Sequence, residues 1–332
     1  MRIRHTFPPL LLALLACCAA ARAGEGIVIR ENPRKFKATV TYEVKPQKST
    51  PRELWVVLPV PDDNGYQDIR RIGNAPGAVG SYPETGGKYY HVQVIGGDRQ
   101  TSPPFAAKHE FYVTAYDLRT DFSRIGAIHS YNKTSDIYKR FTGKTAEYID
   151  PSHPAIVRIA TDLGKNAKND LDFARRAYEY VAKNYKYIEA DTGGFKPLDQ
   201  ILQQGGGQCG NLSSIYISLL RRRGIPARHL VGYRTNGKPH VYADFYLERY
   251  GWIPVDVTWA GTTKLKKDYF GRIHSAHPTV ILSHGADLTI PGHDGNVKRK
   301  GMQKGSYWWR SRKGKPGKID VNYSFVCARV EE

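Results

Sequence analysis

Cys209 is the residue of this 332-residue chain whose sequence context says most about structure. It lies in GGGQCGNLSSIYISLLRRRGIPAR, where apolar residues follow the cysteine at helical spacing and Gly224, before Ile225-Pro226, ends the pattern. Unpaired N–H groups and the positive dipole at a helix N-terminus stabilise a thiolate. The surrounding glycines would leave the sulfur accessible to a substrate backbone. Cys209 is therefore a candidate nucleophile; the alternatives are a small turn residue and half of a disulfide.

Downstream of Cys209, alternating apolar and polar residues predict two antiparallel strands. HVYADFYL begins at His240, residues 248–251 have turn character, and the next strand leads to Asp256. Because the midpoint between His240 and Asp256 falls in that turn, pairing would bring the imidazole and the carboxylate together on one face. An imidazole oriented by a carboxylate can accept a thiol proton. Taken alone, His240 would be an ordinary polar residue at the start of a strand, and Asp256 would be a turn or cap residue. Together with Cys209 they form a candidate triad.

These segments resemble the transglutaminase-like superfamily, a branch of the papain-type cysteine enzymes. The resemblance rests on three blocks in the same order: GQCGNLSS, then RRRGIPARHLVGY, then the strand pair HVYADFYL and GWIPVDVTWA. It covers roughly residues 153–290. It implies Cys209 as nucleophile, His240 as general acid and base, and Asp256 as the group that orients the histidine. It also implies a papain-like core in which the cysteine-bearing helix packs on an antiparallel sheet.

An acyl-transfer site also needs hydrogen-bond donors for the oxyanion. The backbone N–H of Cys209 is one candidate. Gln203 precedes the cysteine at a spacing similar to that of the oxyanion glutamine in papain-like proteases, with Gln204 and Gln208 as rivals. Transglutaminase-like enzymes often use a different group, so the second donor stays open.

The residues before this region predict a separate β domain. Residues 24–125 combine period-two apolar patterns with Gly-, Pro- and Asn-rich connections, which is typical of an immunoglobulin-like β-sandwich. Residues 126–152 are predicted as a linker, and the catalytic domain is predicted at 153–290, with helices near 154–164 and 170–186. The fold class expected for the whole chain is α+β.

The first residues have the composition of an export signal. Residues 1–23 contain basic residues, an apolar run and an Ala21-Arg22-Ala23 cleavage sequence. This signal peptide predicts a periplasmic or secreted protein. The sequence around Cys17 also resembles a lipobox, so the alternative is a lipoprotein anchored through Cys17. No later segment is apolar enough to predict a transmembrane span.

Cysteine and histidine usage predicts neither a metal nor a cofactor. Without residues 1–23, the cysteines are Cys209 and Cys327. A disulfide between them is one interpretation in an oxidising compartment. The apolar face of VNYSFVCARV favours the other, in which Cys327 is a buried, inert thiol. There is no C-x-x-C pair, and the H-x-x-H at His274 and His277 lacks a carboxylate pattern.

The chain is strongly basic, with 50 Lys and Arg against 31 Asp and Glu and a formal charge of +19. Part of the excess lies in the predicted C-terminal extension, residues 291–332, which ends in a strand. Residues 298–318 hold nine basic residues and no acid, interleaved with Tyr307, Trp308 and Trp309. Such a segment suits an anionic polymer, and export favours envelope material over nucleic acid. The alternative is a solvated loop between two strands.

Together these features predict an exported cysteine enzyme that cleaves a peptide or isopeptide amide in a peptide, protein or peptidoglycan-type substrate. An amine could intercept the same acyl-enzyme and give cross-linking instead. Hydrolysis is favoured because nothing resembles the calcium sites of dedicated cross-linking members. The alternative function is a non-catalytic module that uses the cleft and the basic segment to bind envelope polymers or a partner protein.

Overall fold

The computed structural model describes residues 26–46, 51–95, 105–190, 194–262, 268–292, 294–311 and 319–331. The predicted signal peptide, including Cys17, and residues 312–318 of the basic segment lie outside the described residues. The α+β fold class is confirmed: antiparallel sheets of the N-terminal region are followed by a core in which helices pack on a sheet. Within the described ranges, no helix is both long and apolar enough to cross a membrane.

The N-terminal region is built of strands. In chain order they are β1 (Val28–Pro46), β2 (Pro51–Val60), β3 (Gln67–Ile72), β4 (Ala78–Ser81), β5 (Lys88–Ile95) and β6 (Phe105–Thr120). In the second half of β1 the residues of one face are buried, while Thr39 and Thr41 between them are less so; the buried residues are Phe36, Ala38, Val40, Tyr42 and Val44. This alternation is the strand pattern that the sequence predicts.

The middle of the chain contains the helices, interrupted by short strands. They are α1 (Asp136–Phe141), α2 (Pro154–Gly164), α3 (Asp170–Asn184), β7 (Lys186–Tyr187), α4 (Leu198–Gln203), β8 (Gly206–Gly207), α5 (Cys209–Arg223), β9 (Ala227–Arg234), β10 (Pro239–Leu247), β11 (Gly251–Val255) and α6 (Val257–Thr262). After α6 come β12 (Arg272–Ile273), β13 (Thr279–His284), β14 (Leu288–Gly292), β15 (Gly295–Arg299), β16 (Ser306–Ser311) and β17 (Ile319–Arg329).

Two sheets of the N-terminal region face each other as a sandwich that the C-terminal strands complete. One sheet has the order β12-β6-β1-β17, with β3 also paired to β6, and the other has the order β16-β2-β5-β4. Pairs such as Val40 with Phe325 and Leu54 with Trp309 join the two ends of the chain. The segment predicted as a C-terminal extension therefore contributes a strand to each sheet.

The second part of the fold is a helix packed on an antiparallel sheet. The sheet has the order β11-β10-β9-β13. Helix α5 is buried almost throughout: Ile215, Leu219 and Leu220 share one core with Ala243 and Phe245 of β10. Burial of one helix face on one sheet face removes a large apolar area from water. The prediction of a cysteine-bearing helix on an antiparallel sheet is confirmed.

The segment predicted as a linker, residues 126–152, also takes part in this core. It contains α1, and the side chains of Tyr148 and Ile149 are fully buried beside α2 and α5. The Tyr148 hydroxyl donates a hydrogen bond to the Lys300 carbonyl at 2.6 Å. Two adjacent buried residues among polar ones have neither helical nor strand periodicity, so the sequence pattern does not reveal them.

A buried polar cluster joins the sandwich to the sheet of the core. Arg228 of β9 donates to Asp244 of β10 at 3.0 Å, and its guanidinium lies 3.9 Å from the ring centre of Trp252. Tyr66, which precedes β3, donates to the same carboxylate at 3.4 Å. Gln67 exchanges two hydrogen bonds with the backbone of Ile281 in β13, of 2.8 and 2.9 Å. These satisfied buried groups fix the contact between the two parts.

Candidate active site

Helix α5 begins at Cys209, as the sequence predicts. Gln208 precedes it in an extended conformation, and its side chain makes no capping hydrogen bond, which leaves the first N–H groups of the helix without a side-chain cap. The Cys209 side chain is partly exposed. At the other end, Gly224 adopts a left-handed conformation with φ of 85°, and its N–H donates to the Arg221 carbonyl. The helix thus has the polarity that favours a negative sulfur at its first residue.

The glycines on either side of Cys209 have a role in packing. A Cβ atom added at Gly206, where φ is +153°, would lie 2.0 Å from the Lys186 carbonyl oxygen. One added at Gly210 would lie 2.6 Å from the ring of Phe195. We expected these glycines only to leave the sulfur accessible to a substrate; the structure shows that they are also needed for close packing. Gly206 allows β7 to pair closely with β8.

His240 and Asp256 lie together at the open end of the β10–β11 hairpin. The observed register pairs Ala243 with Val255 and Leu247 with Gly251, so the centre of the turn is one residue later than the sequence suggests. His240 Nε2 lies 2.7 Å from Asp256 Oδ2. The two residues are 7% and 3% exposed. A buried charge-assisted contact of this length holds the imidazole in one orientation.

The carboxylate of Asp256 is held by the start of α6. Its Oδ1 atom accepts hydrogen bonds from the backbone N–H groups of Thr258 at 3.0 Å and Trp259 at 3.3 Å. These donors occupy one oxygen, and His240 occupies the other. The helix start therefore orients the carboxylate, which in turn orients the imidazole.

Cys209 lies close enough to His240 for its sulfur to raise the pKa of the imidazole. Because Nε2 faces Asp256, Nδ1 is the ring nitrogen left for the thiol. Burial lowers the pKa of His240, but the charge and hydrogen bond of Asp256, together with the contact to Cys209, outweigh it and raise the pKa to about 10. The structure thus brings together the three residues singled out from sequence, with the imidazole in the middle.

The glutamines considered as oxyanion donors have other surroundings. Gln203 is exposed at the last residue of α4, and the described residues hold no hydrogen bond between it and Cys209. Gln204 Nε2 donates to the Gly206 carbonyl at 2.6 Å, and Gln208 Nε2 donates to the Glu189 carbonyl at 3.2 Å. Gln203 stays a prediction with no contact to support it.

Tyr187 is a residue of the site that the sequence reasoning missed. Strand β7 pairs in parallel with β8, which places Tyr187 opposite Gly207, close to Cys209 along the chain. The side chain is 38% exposed. Burial raises the pKa of its phenol, and the negative charge of the Cys209 sulfur and of Glu189 raises it further. A two-residue strand has no periodicity to detect; only an aromatic residue shortly after a helix could have drawn attention to it.

A second group of residues surrounds His240 on the side of β9. The ring centre of Trp259 lies 5.9 Å from that of His240, and the guanidinium carbon of Arg234 lies 5.1 Å from the Trp259 ring centre. Gln303 Nε2 donates to the Gly232 carbonyl at 2.7 Å and more weakly to the His240 carbonyl at 3.4 Å. Residues from β9, α6 and the C-terminal segment therefore all contact the histidine or its strand.

Another histidine lies beneath the first turn of α5. His229 Nε2 is 3.2 Å from the Gly210 carbonyl and 3.3 Å from the Ser214 hydroxyl. Burial, reinforced by the positive charge of Arg221, lowers its pKa to about 3. His229 is therefore neutral at physiological pH and braces the turn that carries Cys209. It lies on the opposite face of the sheet from His240.

Neither described cysteine forms a disulfide. Cys327 lies in β17 opposite Ala38, packed against the core of the sandwich. Burial raises the pKa of its thiol to about 12, so it is protonated at neutral pH. This favours the interpretation of Cys327 as an inert thiol and leaves Cys209 available for chemistry.

Residues 157–257 match the family model of the transglutaminase-like superfamily. This stretch is a transglutaminase-like core. It extends from α2 to the first residue of α6, so Cys209, His240 and Asp256 all lie within it. The N-terminal sandwich and the strands after α6 lie outside the matched residues.

Known proteins resemble the chain beyond the transglutaminase-like core. An uncharacterized protein of Haemophilus influenzae is 24% identical over 278 residues, covering 73% of this chain and 74% of the relative. The crystal structure of a candidate cysteine protease from Cytophaga hutchinsonii is 15% identical, covers 92% of this chain and 94% of its own, and has a TM-score of 0.60. The periplasmic domain of TgpA from Pseudomonas aeruginosa is 13% identical over 72% of this chain and 75% of its own, with a TM-score of 0.39. The Cytophaga structure therefore shares the fold of the core together with that of the sandwich.

Proposed function

We propose that this protein is an exported cysteine enzyme that hydrolyses a peptide or isopeptide amide. One observation carries the proposal: the buried imidazole of His240 lies 2.7 Å from the Asp256 carboxylate and is close enough to Cys209, the first residue of a helix, for the sulfur to raise its pKa. The raised pKa of His240 favours an imidazolium beside the sulfur. A thiolate paired with an imidazolium is the reactive form of a cysteine nucleophile.

The reaction follows from these positions. The Cys209 thiolate attacks the amide carbonyl carbon, and the carbonyl oxygen becomes an oxyanion. His240 donates its proton to the leaving nitrogen, the C–N bond breaks, and a thioester with Cys209 remains. The neutral imidazole then accepts a proton from water as that water attacks the thioester. The tetrahedral intermediate collapses to the free acid, and the thiolate beside the imidazolium is restored.

Two donors would stabilise the oxyanion. The backbone N–H of Cys209 lies at the start of α5, where no side chain caps the helix. We assign the second donor to the Tyr187 hydroxyl, because β7 holds this residue beside the glycines that lead to Cys209. If this is right, Tyr187→Phe lowers kcat with little effect on KM, whereas Gln203→Ala leaves both nearly unchanged. The reverse outcome would favour Gln203.

We extend the proposal to the compartment in which the enzyme acts and to the class of its substrates. The export sequence at residues 1–23 suits a periplasmic or secreted enzyme, whose substrates would be peptides, proteins or peptidoglycan-type amides. The exposed Lys298 and Lys304 support contact with an anionic envelope polymer. Trp309, by contrast, packs into the sandwich, so the aromatic residues of this segment are not all available to a polymer.

Thiol labelling tests whether the site is reactive. A thiol-reactive amide probe should label the wild-type protein at Cys209 rapidly at neutral pH, and labelling should disappear in Cys209→Ala. Cys327→Ala is the matched control and should label like the wild type, because burial keeps the Cys327 thiol protonated. Absence of labelling at Cys209 at any pH would favour the non-catalytic module.

Mass spectrometry distinguishes the reactions of an acyl-enzyme. The purified protein would be incubated with peptides and peptidoglycan fragments, with and without an added amine. Hydrolysis releases a fragment, deamidation of a glutamine adds about one mass unit, and cross-linking joins the amine to the substrate. We expect fragment release that is absent in Cys209→Ala. Joining without release would show that an amine and not water accepts the acyl group.

A further inference from the structure

Arg234 is a cation near the site that the proposed reaction does not use. It is the last residue of β9, where Gly232 and Arg234 alternate onto the face that carries His240, since Gly232 pairs with His240 in the sheet. Its guanidinium lies over Trp259, whose ring contacts the imidazole. The positive charge is therefore separated from His240 by a single aromatic ring.

The guanidinium has no charge partner in the part of the chain that the structure describes. No carboxylate forms an ion pair with Arg234 there, whereas Arg34 and the buried Arg228 each have one. Its Nε atom is buried and makes no hydrogen bond. The side chain as a whole is partly exposed. A buried guanidinium donor without an acceptor is costly, and an anionic ligand would satisfy it.

The position of Arg234 relative to the reacting atoms indicates which part of a substrate it meets. Since His240 protonates the leaving nitrogen, the leaving group lies on the imidazole side of the sulfur. Trp259 lies beside that imidazole and Arg234 lies over Trp259, so the guanidinium is close to the group that protonates the leaving nitrogen. A negative group carried by the leaving amine would thus approach the guanidinium.

We propose that Arg234 is a specificity-determining residue that binds a carboxylate on the leaving amine of the substrate. This inference rests on the proposed amide hydrolysis and names its substrate class: amides whose amine part is an anionic amino acid or peptide. The planar guanidinium can hold a carboxylate through two parallel hydrogen bonds. The carboxylate comes either from the free α-carboxyl group of a C-terminal residue or from the side chain of an acidic residue after the scissile bond.

Cleavage of three matched peptide libraries tests the proposal. Each library randomises the acyl side and carries one of three leaving groups: a neutral residue with a free carboxylate, the same residue as a carboxamide, or an aspartate with a carboxamide. We expect the wild type to prefer a carboxylate over the neutral carboxamide by about 10- to 100-fold in kcat/KM, the effect of one charge-assisted hydrogen-bonded pair. Which carboxylate library is cleaved faster identifies the source.

Substitutions separate recognition from a structural role. Arg234→Gln should abolish the preference by slowing only the carboxylate substrates, while Arg234→Lys should retain part of it. Lys238→Gln removes an exposed cation from the same hairpin and serves as the matched control, with an unchanged preference. Equal slowing of all three libraries by Arg234→Gln, or a wild type without preference, would overturn the proposal.

A binding measurement tests the role of Arg234 independently of whether the protein is a hydrolase. The same libraries would be bound to Cys209→Ala and to Cys209→Ala with Arg234→Gln, and the retained peptides identified by mass spectrometry. Enrichment of carboxylate peptides that requires Arg234 supports the inference even if the wild type cleaves nothing. Equal retention of the three libraries by both variants rejects it, whatever the result of the cleavage assay.

Discussion

At the scale of single residues, the pair formed by His240 and Asp256 determines how the site responds to pH. The pKa of His240 in the folded protein, about 10, lies above the ordinary value of about 6.5 expected after unfolding. The folded state therefore binds the imidazole proton more tightly than the unfolded state. The stabilisation that this provides is complete below about pH 6.5 and is lost as the pH rises towards about 10.

The first prediction concerns this titration. The ring signals of His240, identified by their loss in His240→Gln, should titrate near pH 10 in an NMR pH series. In Asp256→Asn the midpoint should fall well below 10, because burial is then opposed only by the contact with Cys209. His229, whose pKa is lowered to about 3, should stay neutral throughout and serves as an internal comparison. A wild-type midpoint near 6.5 would contradict the buried ion pair.

The second prediction concerns Gln303, which lies outside the transglutaminase-like core but bonds to the strand that carries His240. Gln303→Ala leaves the buried Gly232 carbonyl without this donor, at a cost of about 1–3 kcal/mol in the free energy of unfolding. Labelling of Cys209 should slow, since the strand that positions His240 is loosened. Lys304→Ala, a change at the exposed neighbour, should affect neither quantity. If the labelling rate of Gln303→Ala equals that of the wild type, Gln303 contributes to folding stability but not to the reactivity of Cys209.

At the scale of elements, the β7–β8 pair depends on glycine. The third prediction is that Gly206→Ala destabilises the fold by about 1–3 kcal/mol and strongly slows the labelling of Cys209. The φ angle of Gly206 is +153°, and the new Cβ atom would collide with the Lys186 carbonyl oxygen. Gly143→Ala is the matched control, because nothing lies within 4 Å of its added Cβ atom. Denaturant unfolding and labelling rates measure both effects. A fully stable, reactive Gly206→Ala variant would refute this account of the glycine run.

At the scale of the whole molecule, the last strand ties the sandwich to the core. Phe325 of β17 is buried and stacks on Tyr233 of β9 with ring centres 5.1 Å apart. The same cluster contains Phe36 and Phe111 of the sandwich and Val280 of β13. The C-terminal strand therefore contributes to a core that both parts of the fold share.

The fourth prediction follows from this shared core. Phe325→Ala should destabilise the protein by about 3–5 kcal/mol, as expected for a large buried aromatic residue. Val326→Ala changes the next residue of the same strand, which is 58% exposed, and should cost little. Because the cluster joins the two parts, we expect a single unfolding transition at a lower denaturant concentration. Separate transitions for sandwich and core in Phe325→Ala would show that the two are independent.

The strongest sequence predictions concerned residues whose neighbours along the chain repeat regularly. The helix expected near 154–164 is confirmed as Pro154–Gly164, and the next helix ends at Asn184, two residues earlier than expected. The hairpin that joins His240 to Asp256 was correct to within one residue of register. Tyr187 and Gln303 were missed because their contacts join segments distant in sequence, and no local period reports such contacts.

The sequence alone determined the α+β class and the helix that begins at Cys209, together with the strand pair of His240 and Asp256, because these depend on local periodicity and on helix-end and turn residues. Only the tertiary structure decided that β16 and β17 return to the N-terminal sheets and that residues 126–152 enter the core. It also decided that Arg234 lies over Trp259 without a carboxylate among the described residues. Such pairings form between segments far apart in sequence, where burial and hydrogen-bond satisfaction, rather than local preference, select the partner.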